Sequence, residues 1–75
     1  MQKQMHRESA YMELIDPVHN HKKYWAAELD GNVVILRWGR IGTAGQEKEK
    51  EFDTEFDATM FYRSKVDEKL NEGYN

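Results

Sequence analysis

The sequence predicts an α+β domain: an antiparallel four-stranded meander sheet with one C-terminal amphipathic helix packed on a face. Three observations predict it. Residue types alternate along Lys22–Leu29 and again along Gln46–Phe52, the period of a pleated strand. Asp30-Gly31-Asn32 lies between two apolar runs and is built from residues that tolerate positive φ, the signal of a tight hairpin. After Thr54-Glu55-Phe56-Asp57, which resembles a capping box, apolar residues return every fourth position at Ala58, Tyr62, Val66 and Leu70, with Phe61 beside them.

The elements follow in order. Met1 to Ser9 has no periodicity and is expected to be a flexible N-terminus (1–9), leaving residues 10–75 as a single domain. Tyr11-Met12-Glu13-Leu14-Ile15 reads as a first strand, stopped by the turn residues Asp16-Pro17. In the second strand Trp25, Ala27 and Leu29 share one face, and Tyr24, Ala26 and Glu28 the other. The third, Val33-Val34-Ile35-Leu36-Arg37-Trp38, is continuously apolar and β-branched until its end, which suits a central strand and predicts the best-buried one. Gly39, Gly42 and Gly45 then impose a turn or bulged corner, where the backbone can approach another molecule closely. Along the fourth strand Glu47, Glu49 and Glu51 alternate with Gln46, Lys48, Lys50 and Phe52, a charged, solvated strand that discourages edge-to-edge pairing. The helix spans about four to five turns and closes at Gly73, after Lys65 and Lys69 near the negative end of its dipole.

Length and composition bound what such a chain can do. With 75 residues it buries only about 60% of its unfolded surface, leaving little room for a deep catalytic cleft. A charged fraction of 33% is high, but two Trp, four Tyr and three Phe supply bodies that a disordered chain lacks. The absence of Cys excludes disulfides and thiolate metal sites. No apolar run approaches transmembrane length and no signal-type segment opens the chain, so a cytoplasmic protein without membrane contact is expected. A monomer is expected as well, although nothing in the sequence discloses the oligomeric state. Met1 and the polar tail suggest a complete small protein and are equally compatible with an excised domain. The net charge of −3 disfavours tight nonspecific nucleic-acid binding but leaves room for a local basic patch, because Lys22, Lys23, Arg37 and Arg40 precede the acidic half.

Trp38-Gly39-Arg40-Ile41-Gly42-Thr43-Ala44-Gly45 resembles the signature of the WGR domain family. Tyr24-Trp25, Asp30-Gly31, a polar strand ending in Phe52 and a helix closing with Glu72-Gly73-Tyr74 extend the likeness over about residues 10 to 74. The resemblance implies the fold derived above and an accessory, non-enzymatic role, since the family occurs in poly(ADP-ribose) polymerases and in bacterial stand-alone or fused proteins. In the polymerases the domain contacts DNA near strand breaks and packs against neighbouring domains. On this chain the family's tryptophan falls on Trp38, implied to lie against a sugar or base, and its arginine on Arg40, implied to contact phosphate or a partner. These 75 residues leave no room for the polymerases' catalytic domain, and their overall charge is acidic, two departures from that context.

The expected site is therefore Trp38, Gly39 and Arg40, extended by Arg37, Lys22 and Lys23 if the hairpin brings them together. Indole stacks on bases and a guanidinium fork matches phosphate. Two functions fit: contact with nucleic-acid ends or single strands, or docking of a protein partner through the same surface, where Trp and Arg are frequent anchors. Against these stand plainer readings, Trp38 as core and Arg40 as a solvated loop residue paired to a glutamate. No cofactor or metal is expected. His19 and His21 beside Asp16 are ligand types, but no further His or Cys is placed to complete a site except His6. Ser9 and Ser64 lack a neighbouring base, and the glycine run lacks the Lys-Ser/Thr ending of a P-loop.

Overall fold

The alternating segments form four strands in the computed structural model, which describes residues 6–75. They are β1 (Arg7–Asp16), β2 (His21–Asp30), β3 (Val33–Arg40) and β4 (Gln46–Glu51), followed by α1 (Glu55–Asn71). The strands pair antiparallel in the order β1-β2-β3-β4, an open meander, and the helix lies across β2 and β3.

Turn chemistry sets the register. Gly31 alone of the β2–β3 loop pair has positive φ (63°), the sign pattern of a type II′ turn, and Asp30 faces Val33 across it. Asn32 then donates its side-chain amide to Phe52 O at 2.8 Å and accepts from Phe52 N at 2.8 Å, which anchors the end of β4 to this turn. At the other end of the sheet Asp16 accepts backbone N–H bonds from Val18 and His19, and Asn20 takes the left-handed conformation (φ 56°).

Two strand expectations are corrected. β1 starts at Arg7, before Tyr11, because the long β2 offers backbone partners as far as Arg7↔Asp30, and Gly31 N donates to His6 O at 2.9 Å. Pairing outweighs the polar composition of Arg7-Glu8-Ser9, while residues 1–5 of the expected flexible N-terminus lie outside the described residues. The best-buried strand is β2 (Trp25, Ala27 and Leu29), whereas only Val34 of β3 is fully enclosed. The helix packs mainly over β2, and β3 borders the short, charged β4.

The core is one side of the sheet against α1: Met12, Trp25, Ala27, Leu29, Val34, Ala58 and Tyr62. Residues opposed across antiparallel strands share a face, so the rungs Met12–Trp25–Trp38 and Ala10–Ala27–Leu36 both point to the helix. Thr54 caps α1 by accepting from Asp57 N at 3.0 Å. A Schellman end closes it, with Gly73 at φ 103° donating to Leu70 O and Tyr74 N donating to Lys69 O. Leu70 departs from the predicted stripe and is 51% exposed. Each four-residue step overshoots a turn of 3.6 residues by about 40°, so by Leu70 the stripe has rotated off the buried face.

Leu29 is 1% exposed at the centre of this core. Leu29→Ala is expected to cost about 2–5 kcal/mol, a large share of a small domain's stability, as read by urea denaturation. A cost below about 1 kcal/mol would contradict the packing described.

Glu8 joins β1 to the helix by accepting from Arg63 Nη2 at 2.8 Å. Its hydrogen bond with His6, then that with Arg63, hold its carboxyl below the ordinary value of 4.5. A lowered folded pKa stabilises the fold above the unfolded pKa, and that contribution disappears as pH falls through the folded value. The urea midpoint is expected to drop on acidification below pH 4.5, and less steeply in Glu8→Gln. Equal slopes for the two proteins would remove Glu8 from this role.

Candidate nucleic-acid interface

The Gly39–Gly45 corner is wired to β2. Tyr24 donates its hydroxyl to Ala44 O at 2.8 Å, Ile41 N donates to Lys22 O, and Thr43 donates both its N–H and its hydroxyl to Arg40 O. The glycines divide into two kinds. A Cβ on Gly39 would lie 2.7 Å from Gly45 Cα, and one on Gly45 would collide with Trp38 O and the Tyr24 hydroxyl. Those two glycines permit the chain to pack against itself, which corrects the expectation that Gly39 opens the backbone to a ligand. Gly42 (φ 91°) has open space around its Cβ position and is where another molecule can come close.

Gly39 and Arg40, expected within the turn, still pair as strand, opposite Tyr24 and Lys23. Arg40 and Lys23 therefore sit side by side on the helix side of the sheet, one rung beyond Trp38 and Trp25. Trp38 is half-buried against the core and keeps part of its indole at the surface. Arg40 is exposed, and no ion pair engages it among the described residues.

Arg37 and Lys22 fall on the opposite face, so the six residues expected to form one patch are split by strand parity. Arg37 pairs with Ala26, away from Lys22 and Lys23, and donates its Nε to Glu47 at 2.8 Å with Glu28 at 3.8 Å. Glu47, then Glu28, raise its pKa. The Arg–Glu pairing weighed for Arg40 belongs to Arg37.

Sequence reasoning missed Lys48 and Lys50. They oppose Leu36 and Val34, so they project to the helix side, while Glu47, Glu49 and Glu51 project to the open side. Lys50 Nζ lies 4.8 Å from the Phe61 ring centroid and 5.5 Å from that of Phe52, a position that needs the helix beside β4. The alternation was visible in the sequence; its combination with the β3 register is the signal that sorts these charges. Lys23, Trp38, Arg40, Lys48 and Lys50 thus share one face. In the loop between β1 and β2, Asp16 binds His19 Nδ1 at 2.7 Å and two backbone amides, so its carboxylate serves the turn.

An open antiparallel meander under one helix, with Trp-Gly-Arg leading into a glycine corner, makes a small α+β module. The family model for the WGR domain matches residues 8–75, and the chain belongs to the WGR domain family. Domains of this family are accessory modules, not themselves catalytic, and are generally associated with nucleic-acid binding. The chain is similar to the uncharacterized protein y4dW of Sinorhizobium fredii, 36% identical over 69 residues, covering 85% of this chain and 34% of that one. It also resembles the crystal structure of a Bacteroides fragilis protein, with TM-score 0.83 and 27% identity over 89% of this chain and 18% of that one. It thus spans about a third or less of the length of either relative.

The two positive-φ glycines of the corner separate strain from crowding. Gly42→Ala is expected to cost about 1–2 kcal/mol from backbone conformation alone. Gly45→Ala should cost clearly more, because it adds the collision with Trp38 and Tyr24. Thermal melts of both variants check the order, and equal losses would show that the corner is not closed on itself.

Proposed function

We propose that this domain contacts nucleic acid, at ends or along single strands, with the helix-side face next to the glycine corner. One observation carries the reading: Lys23, Arg40, Lys48 and Lys50 gather on one face of an acidic protein, and no carboxylate pairs with any of them among the described residues. Phosphate neutralisation needs such uncompensated cations. Trp38, at the centre of the group, offers the exposed part of its indole to a base or sugar, and full stacking is worth about 1–3 kcal/mol per base. Gly42 leaves the backbone approachable beside Arg40. Arg37 and Lys22 have no part in this surface.

The same surface supports docking of a protein partner, favoured by the much greater length of both relatives, in which other segments flank a domain like this one. Trp38 and Arg40 would then be the anchors. Pull-downs with and without nuclease separate the two readings, because a partner that survives nuclease and is lost in Arg40→Ala does not depend on nucleic acid.

The decisive test titrates ¹⁵N-labelled protein with nicked, blunt-ended and single-stranded oligonucleotides at low and high salt. Joint movement of the Trp38 indole and the Arg40 and Gly42 amides, abolished by salt, is the expected result. The double variant Lys48→Glu/Lys50→Glu should bind at least about tenfold more weakly with its fold intact by circular dichroism. If nothing moves at low salt, the isolated domain is not a nucleic-acid binder.

A further inference from the structure

The face of the sheet turned away from α1 has no covering layer among the described residues. At the hairpin end of β3 it carries a short apolar strip, Val33 and Ile35, both only half-buried for lack of a cover, with Arg37 next on the same face. Cross-strand register places carboxylates on both sides of that strip: Glu28 opposes Ile35 from β2, while Glu49 and Glu51 oppose Ile35 and Val33 from β4. Glu28 is shared with Arg37 at 3.8 Å, but Glu49 and Glu51 are exposed and take part in no ion pair among the described residues. Toward β1 the rungs of Ile35 and Val33 end in Ser9 and in Arg7, which is paired to Asp30 at 3.2 Å; on the next rung, that of Arg37, Tyr11 is 60% exposed, its ring stacked on Tyr24 at 6.0 Å between centroids and 14° between planes.

Apolar side chains flanked by unpaired carboxylates complement a segment with the reverse pattern, apolar residues along a centre line and cations on both sides. An exposed tyrosine face beside them adds an attraction for guanidinium or ammonium groups. We propose that the open face docks a cationic amphipathic protein segment, whose apolar side chains rest on Ile35 and Val33 and whose Lys or Arg residues meet Glu28, Glu49 and Glu51. This surface is opposite in charge and in position to the basic face of Lys23, Arg40, Lys48 and Lys50. Both can be occupied together, and a polyanion is repelled from this one.

The probe is a synthetic helical peptide with a stripe of valines and leucines at every third and fourth position and arginines on both sides of that stripe, compared with the same peptide carrying glutamates in place of the arginines, titrated into the ¹⁵N-labelled domain. The arginine peptide should shift the amides of Val33, Ile35 and Glu49, while the glutamate peptide leaves them in place. In Glu28→Gln/Glu49→Gln/Glu51→Gln, which keeps side-chain size at exposed positions, affinity for the arginine peptide should fall about tenfold, with oligonucleotide binding undiminished. Ile35→Thr should weaken the peptide several-fold with the charges unaltered, a loss that general attraction to an acidic protein does not produce. Shifts confined to the helix side, no shifts, or equal affinity in the triple variant would each overturn the proposal.

Discussion

The two-residue turn at Gly31–Asn32 sets the parity of the whole sheet. Because strand side chains alternate with period two, a slip of one residue between β2 and β3 would exchange every inward side chain for an outward one. Asp30↔Val33 requires Leu29↔Val34, Ala27↔Leu36 and Trp25↔Trp38, the rungs against which the helix packs. The same parity carries Lys23 and Arg40 to the helix side and Arg37 to the other. The clamp from Asn32 to Phe52 passes the register on to β4, so one tight turn governs where core, cations and carboxylates all lie.

A single helix cannot cover both faces of four strands. Its small contacts, Ala27 and Ala58, let it lie close to the sheet, and the aromatic bodies of Trp25 and Tyr62 fill the remaining space. β4 lies beyond the main helix contact and stays exposed, yet its two faces differ in charge. The lysine side adjoins the aromatic rings of Phe52 and Phe61, and the glutamate side adjoins Arg37 and Ile35. A net charge of −3 thus conceals a domain with one cationic and one anionic surface.

The glycine corner is stiffer than its composition suggests. Gly39 and Gly45 bring two backbone segments into direct contact, and Tyr24 bonds the far side of the corner to β2. Tyr24 in turn stacks on Tyr11 of β1. Trp38 and Arg40 are therefore presented from paired strand next to a closed corner, and the backbone is accessible at Gly42. A binding surface held in this way loses little conformational freedom when a ligand arrives.

The amino-acid sequence alone determined the α+β class, the strand count and order, the tight hairpin, and both helix ends. All of these follow from local chemistry: the period of alternation, positive-φ residues in turns, the threonine cap and the terminal glycine. The Trp38-to-Gly45 run, taken together with the strands, hairpin and helix around it, also indicated the family. Tertiary structure alone decided which charges share a face, because that depends on register between strands distant in sequence. It moved Arg37 and Lys22 out of the expected patch and brought Lys48 and Lys50 into it. It also made β2 the core strand and left Leu70 exposed, since burial depends on where the helix axis crosses the sheet and how its turns rotate side chains, and no single strand or helix encodes that.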